Sequence, residues 1–381
     1  MTTVPDTEKI PLAKPEVDDK EMELLEKVIH SGDVSYGPMG ERFEADFAEW
    51  LGIDVKDERA VAVSSGTAAL HLGVRALGWG KGHRVLTSPL TFVASANCLL
   101  YEGAEPVFCD VERATLNLDP AAVEDALAKR PAAGILPVHI FGFPAAMPAL
   151  EAIAERHELG VLEDACQALG AVDAEGRKVG TRGNLATFAF YANKQLTTGE
   201  GGMIVAPDAT TAKRLRSERN QGRKADTKNF EHDRLGFNYR LSDLSAALGV
   251  AQVKKLNNML EKRERVAELY EAGLAGIEGL DTLPSSRGSE RRSWFVYPVL
   301  LPEGADREAT IDTLEDRHEI EVKQYLPCIH LFPQFKKGGW QERQFPNAEA
   351  AADRALALPF FPSMSESQIG RVCEALAESL R

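Results

Sequence analysis

The chain has 381 residues, long for one hydrophobic core, so two domains are expected. Hydrophobic residues make up 44% and charged residues 27%, an ordinary globular balance that leaves little room for long disorder. Formal net charge is −14, a field that repels polyanions and argues against nucleic-acid or anionic-membrane partners, so an anionic small substrate would need a local basic pocket. From the N-terminus, "MTTVPDTEKIPLAKPE" has no apolar core of signal-peptide type. No later segment offers roughly 18 uninterrupted apolar residues, so the chain reads as neither secreted nor membrane-spanning.

Short β-branched runs then alternate with helical runs, the rhythm of βαβ units on a mostly parallel sheet. "RAVAVSSG" reads as a strand and a glycine turn. Leu70, Val74 and Leu77 in "TAALHLGVRALG" predict a helix starting near Thr67. A second unit runs from "RVLTSPLTFVASANCLLYEG" into "AEPVFCDV", and "LDPAAVEDALAK" opens a helix with Asp119 as cap and Pro120 in its first turn. "GILPVHIF" is expected as one buried strand, "AAMPALEAIAERHE" as a helix with Met147, Leu150 and Ile153 on one face, and "GVLEDACQ" as a strand ending in acidic residues. Beyond about residue 240 the texture changes to a long helical stretch capped by Ser242, followed by "PSSRGSERRS" as a polar surface loop and "WFVYPVLL" as a strand. The domain change is placed inside the long helix, giving a large domain at 1–250 and a smaller α+β domain at 251–381. The five cysteines (Cys98, Cys109, Cys166, Cys328 and Cys373) are odd in number, spread widely and form no CxxC pair, which fits a reducing cytoplasm rather than a disulfide framework or zinc site.

Three features carry chemistry only in combination. "SSGTAAL" sets glycine and hydroxyl residues at a strand-to-helix turn, where free N–H groups and the helix dipole suit a phosphate, although alone it reads as an ordinary helix start. Asp164 and Gln167 end "VLEDACQ", and strand carboxyl ends in a parallel sheet point at the ligand crevice; alone, Asp164 reads equally well as a loop cap. Lys194 stands in "FAFYANKQLTTGEGG" before a run of threonines and glycines small enough to let a ligand approach, whereas a lone lysine is usually a solvated one. Together the three fit pyridoxal 5′-phosphate. A lysine amine condenses with its aldehyde as a Schiff base, and an aspartate beside the ring nitrogen favours the protonated, electron-withdrawing ring. Once displaced by an amino substrate, Lys194 can carry a proton between substrate and cofactor carbons, as transamination requires. Phe92 in "LTFVASAN" is either a ring cover or a core phenylalanine.

At this point the chain resembles, nearly end to end, the DegT/DnrJ/EryC1/StrS family of pyridoxal-phosphate sugar aminotransferases. "SGDVSYGPMGERFEADFAEWLG", "VAVSSGTAALHL", "PLTFVASANC", "LEDACQALGA", "FYANKQLTTGEGG", "GFNYRLSDLSAALG" and "LPCIHL" follow the family's order. The resemblance implies an α/β fold of aspartate-aminotransferase type (fold type I), with a mostly parallel mixed sheet flanked by helices and a smaller C-terminal α+β domain. It also implies a homodimer with active sites at the subunit interface. By the same carry-over, Lys194 holds the Schiff base and Asp164 pairs with the pyridine nitrogen. Gln167 bonds the ring hydroxyl, Phe92 stacks, and Gly66 and Thr67 bind the phosphate. Asn238 in "GFNYR" would reach the phosphate of the neighbouring chain's cofactor. Tyr36, Arg240 and His330 match positions near the sugar-nucleotide pocket, although Arg240 also reads as a surface ion pair and His330 as a loop histidine. Two departures stand out. Ala189 replaces the serine usual five residues before the lysine, the loss of one phosphate hydrogen bond and about 1–3 kcal/mol. Cys166 stands where alanine or serine is usual and reads as packing.

The implied activity is transfer of an amino group, from L-glutamate by resemblance alone, to a nucleotide-linked keto-deoxysugar in amino-sugar or polysaccharide biosynthesis. The nucleotide, the choice between carbon 3 and carbon 4, and the pathway stay open. A cyclitol or other non-nucleotide ketone is the alternative substrate. A cofactor-amine-dependent sugar dehydratase of the same family would carry histidine in place of Lys194. A cysteine desulfurase would need a mobile thiol, whereas Cys328 sits among Leu326, Pro327 and Ile329. A non-catalytic sugar-nucleotide-binding regulator would not need a proton-carrying amine. The eight histidines show no HExxH and no paired ligand spacing, so no metal is expected.

Overall fold

The computed structural model describes residues 9–224 and 231–381. Two helices open the chain, α1 (Asp19–Ser31) and α2 (Pro38–Leu51). A reciprocal box starts α1, in which the Glu21 carboxylate accepts from the Asp18 N–H at 2.8 Å. Helix α2 has glycine at its cap and no side-chain acceptor there. The buried Asp243 carboxylate serves instead, taking the N–H groups of Met39 (3.0 Å) and Gly40 (3.1 Å), an anion at the positive end of the helix.

The βαβ rhythm follows: β1 (Ala60–Val63), α3 (Gly66–Ala76), β2 (Arg84–Thr87), α4 (Ala94–Tyr101), β3 (Glu105–Phe108), α5 (Pro120–Lys129), β4 (Gly134–Leu136), α6 (Met147–Arg156), β5 (Gly160–Asp164), β6 (Leu185–Ala189), β7 (Gly202–Val205) and α7 (Ala209–Arg219). The seven strands lie in the order β1-β7-β6-β5-β4-β2-β3, and only β7 runs against its neighbours. Helices cover both faces, which is why strands such as β1 (AVAV) and β7 (GMIV) are buried throughout rather than alternating. On one face α3 packs so tightly that a Cβ at Gly73 would lie 2.6 Å from Leu162 Cδ1. On the other, Phe43 meets Phe190 and Phe47 meets Phe188 edge to face, each at 5.3 Å.

Helix α8 (Asp243–Leu274) runs 32 residues, with Ser242 Oγ accepting the Ser245 N–H. It enters the first core with Val250 and Leu256 and a second core with Val266 and Tyr270. That second core lies under a sheet, antiparallel throughout, whose strands lie in the order β12 (Lys323–Gln324), β13 (Ala355–Leu358), β11 (Tyr297–Leu300) and β8 (Asp281–Thr282). The elements after α8 are β8 (Asp281–Thr282), β9 (Ser286–Arg287), β10 (Glu290–Arg291), β11 (Tyr297–Leu300), α9 (Arg307–Asp312), β12 (Lys323–Gln324), α10 (Pro346–Arg354), β13 (Ala355–Leu358) and α11 (Glu366–Ser379). A mostly parallel mixed sheet flanked by helices and a smaller α+β unit is the architecture expected from the sequence. Among the described residues, no helix is long and apolar enough to cross a membrane.

Two segments differ from expectation. "GILPVHIF" is not one strand: β4 stops at Leu136 because Pro137 has no N–H for the ladder, and Phe141 then turns at φ 51°. "PSSRGSERRS" is exposed at its centre, as expected, but is not an irregular loop. It forms the β9–β10 hairpin, after which Arg292 and Ser293 plunge into the interior.

Candidate active site

Strands β5 and β6 run parallel and in register, Asp164 opposite Thr187, and finish on one edge of the sheet. Helices α3 and α4 start after β1 and β2, and the Lys194 loop leaves β6 to return as β7. Parallel strands present their carboxyl ends to the ligand crevice of such folds, and Asp164, Gln167, the Lys194 loop and the start of α3 all sit at those ends.

The Lys194 loop is tied down from three sides. Thr198 N–H donates to Phe190 O (3.0 Å). Gln195 Nε2 donates to Gln167 O (2.9 Å) and Ser293 O (3.0 Å). Arg263 of α8 donates from Nη2 to Lys194 O (3.2 Å) and from Nη1 to Phe295 O (3.4 Å). The lysine side chain is half-buried, its Nζ 4.1 Å from the centre of the Phe295 ring, and it finds no hydrogen-bond partner among the described residues. Desolvation of the ammonium pulls its pKa down to about 8, against the opposing pull of Cys166 and Asp164. The amine is therefore a usable base near neutrality.

Asp164 is buried and fixed by two donors: Ser95 Oγ to Oδ2 at 2.7 Å and the Cys166 N–H to Oδ1 at 3.1 Å. Ser95 itself sits 2.9 Å from Thr91 Oγ1. Burial, then the charge of Asp164, keeps the Cys166 thiol protonated. Gln167 accepts the Phe141 N–H on Oε1 at 2.8 Å. At the start of α3, Ser65 Oγ takes the Ala68 N–H (3.1 Å), and the N–H groups of Gly66 and Thr67 find no acceptor among the described residues. A Cβ on Gly66 would lie 2.6 Å from the Ala189 methyl and 3.2 Å from Cys166 Sγ, so glycine is required there by close approach of β6 rather than by its backbone angles. The Phe92 ring is 58% exposed although its backbone opens the turn into α4 that carries Ser95.

The remaining predicted residues lie further out. Exposed Asn238 bridges to Asn220 in a segment whose Tyr239 carbonyl accepts the Ser64 N–H, one residue before the α3 cap. Arg240 makes no ion pair among the described residues and donates instead to Asn220 Oδ1 at 2.9 Å. Tyr36 is exposed, with its hydroxyl 3.4 Å from Arg219 Nη2. His330 is fully buried, edge-on to Phe345 at 4.8 Å, and neither ring nitrogen has a hydrogen-bond partner among the described residues, Nε2 lying 3.6 Å from Glu349 Oε1; burial lowers its pKa against the pull of that carboxylate. It does not join the lysine and aspartate. Residues the sequence reading passed over include Ser95, which lies inside the quoted "LTFVASAN", together with Phe295 and Arg263. Arg263 sits in the run "EKRER", which looks like any solvated helix face.

The arrangement fits pyridoxal 5′-phosphate on its own terms. It offers an unpartnered desolvated amine, an anchored carboxylate, a bare helix start and an uncovered aromatic ring. Burial pushes Cys328 up to about 12, which leaves it unreactive as a sulfur acceptor. The family model of the DegT/DnrJ/EryC1/StrS aminotransferases matches residues 15–377. "Spore coat polysaccharide biosynthesis protein SpsC" of Bacillus subtilis (strain 168) is 36% identical, covering 98% of this chain and 97% of its own. A "GDP-perosamine synthase" of Caulobacter vibrioides is also 36% identical, covering 98% and 99%. Among solved structures, S. venezuelae DesV in complex with a ketimine intermediate superposes with a TM-score of 0.89 at 33% identity, covering 98% of this chain and 100% of its own.

Proposed function

The chain belongs to the DegT/DnrJ/EryC1/StrS aminotransferase family and is a pyridoxal-phosphate-dependent transaminase, and from that premise we propose that it moves the amino group of L-glutamate to a keto-deoxysugar carried on a nucleoside diphosphate. The observation that carries the reading is Lys194, an amine without a hydrogen-bond partner among the described residues and with its pKa pulled down to about 8 beside an anchored aspartate. What supports a sugar nucleotide is the 36% identity to a GDP-perosamine synthase. Bound at this site, pyridoxal 5′-phosphate supplies an aldehyde for imine exchange and a ring that spreads the negative charge left on a deprotonated carbon.

The residues of the chain do the rest. Lys194 Nζ would hold the cofactor and, when released, carry a proton from the substrate carbon to the cofactor carbon, a task eased by desolvation, which raises the share of neutral amine near neutral pH. Asp164, fixed by Ser95 and the Cys166 N–H, would pair with the protonated ring nitrogen. Gln167 would bond the ring hydroxyl, Phe92 would cover a face, and the N–H groups of Gly66 and Thr67 would take the phosphate at the positive helix end. Ala189 offers no hydroxyl to that phosphate. In a homodimer, Asn238 of the partner subunit would complete the phosphate site. Tyr36 and Arg240 would meet the sugar nucleotide on the exposed side, with His330 contributing only from the layer beneath.

The test is direct. Purified protein with glutamate and a panel of keto-sugar nucleotides should release 2-oxoglutarate, and borohydride should fix the yellow chromophore to the peptide containing Lys194. Label on another residue would remove the site assignment. Turnover of a cyclitol ketone with none of the nucleotides would replace the substrate.

A further inference from the structure

Behind Gln167 lies a linked series of contacts that transamination as described above does not use. Phe141 sits at φ 51°, ψ 25°, in the left-handed region where a bulky side chain is strained. Two of its polar groups are gripped from other segments: its N–H donates to Gln167 Oε1 at 2.8 Å, and its carbonyl accepts from Arg292 Nη1 at 2.9 Å. The next residue has no clearance, since a Cβ on Gly142 would lie 1.9 Å from Ser293 O.

Arg292 is an unusual partner for a carbonyl. It is 3% exposed, lies over the rings of Trp294 (4.7 Å) and Phe143 (4.9 Å), and holds Pro284 O with Nε at 2.8 Å. No carboxylate pairs with it among the described residues, and its Nη2 has no hydrogen-bond partner there. Burial draws its pKa down to about 9, so it stays charged at neutral pH. A buried cation without a counter-ion is destabilising, and its side-chain hydrogen bonds go to carbonyls alone, one of them that of Phe141.

The chemistry of the amide supplies the rest. A backbone N–H can only donate, so the face of Gln167 turned to Phe141 must be its oxygen, and the NH2 group must point the other way. We propose that Arg292 is a positioning residue: by gripping the Phe141 carbonyl it holds the left-handed turn that fixes the Gln167 amide with its NH2 toward the cofactor pocket. Gln167 is then a donor there and never an acceptor. The consequence for the cofactor rests on the role given to Gln167 under the proposed function. A donor against the ring hydroxyl favours its deprotonated oxygen and moves the protonation of the bound chromophore to lower pH.

Two measurements separate the claims. In cofactor-free protein, hydrogen exchange at the Phe141 amide should be protected in the wild type and about tenfold faster in R292M. R292K, which keeps the charge but has a single head for two carbonyls, should fall between. In cofactor-loaded protein, the pH midpoint of the visible band should rise by about one unit in R292M and move the same way in Q167M, with no further rise in the double variant. Unchanged Phe141 exchange in R292M overturns the proposal, as does a midpoint that Q167M moves and R292M leaves alone. If R292M does not fold, wild-type exchange in R292K overturns it. Faster exchange in R292M combined with a wild type that develops no visible band keeps the Arg292 grip and sinks the cofactor reading instead.

Discussion

Replacing Lys194 with methionine should make the cofactor-free protein more stable at neutral pH while abolishing turnover. The folded-state pKa is about 8 against an ordinary 10.5, a difference of about 2.5 units. At about 1.4 kcal/mol per unit this sets a ceiling of roughly 3.5 kcal/mol, which partial opening to the cleft reduces to about 1–2 kcal/mol. The sign follows from proton binding. Below pH 8 the amine is charged in both states and the desolvation penalty is fully present. Between pH 8 and 10.5 the unfolded chain holds more proton, so wild-type stability rises with pH relative to the variant, and above 10.5 the penalty is gone. Methionine removes the charge at similar length and sets a thioether near the Phe295 ring, a favourable contact. Urea unfolding of both proteins without cofactor at pH 7, 8.5 and 10 checks this. The variant's advantage should be largest at pH 7 and shrink toward pH 10. A variant no more stable than wild type at pH 7, or one with the same advantage at every pH, would refute the claim that this amine is held desolvated.

Two further outcomes are expected. Asp164→Asn can keep the Cys166 N–H on its one amide oxygen while its NH2 faces Ser95 Oγ, which must turn from donor to acceptor, but it loses the charge beside the ring nitrogen, so single-turnover conversion of the bound cofactor by glutamate should slow by at least about a hundredfold with cofactor still bound. Ala189→Ser places a hydroxyl beside the α3 start, and cofactor affinity measured by the visible band should rise about tenfold; no gain would mean the hydroxyl does not reach the phosphate.

Much of the frame was legible because its causes are local. Parallel strands covered on both faces read as unbroken apolar runs, and the caps at Asp119 and Ser242 announce their helices. Lys194 stood out because glycines and threonines beside a lysine are a local anomaly. The end of β4 is also readable, since Pro137 interrupts any ladder, although the apolar run around it reads as one continuous strand. What stayed hidden depends on distant partners. Asp243 looks like a first-turn acid of its own helix, yet it caps α2 some two hundred residues earlier. Arg263 and Arg292 sit in charged runs that resemble solvated faces, and nothing in those runs shows that backbone carbonyls from other segments will be their partners. Arg240 reads as one half of an ion pair until the fold brings it an amide, and His330 reads as a loop residue until Phe345 closes over it.

Helix α8 holds the Lys194 loop at two points. Gln252 Oε1 accepts the Thr197 N–H at 3.3 Å, and Arg263 holds Lys194 O, eleven residues or about 16 Å further along the same rod. The far half of that rod is packed into the second sheet's core. Any tilt of the C-terminal unit that carried the rod with it would therefore pull on the backbone from which the reactive side chain springs.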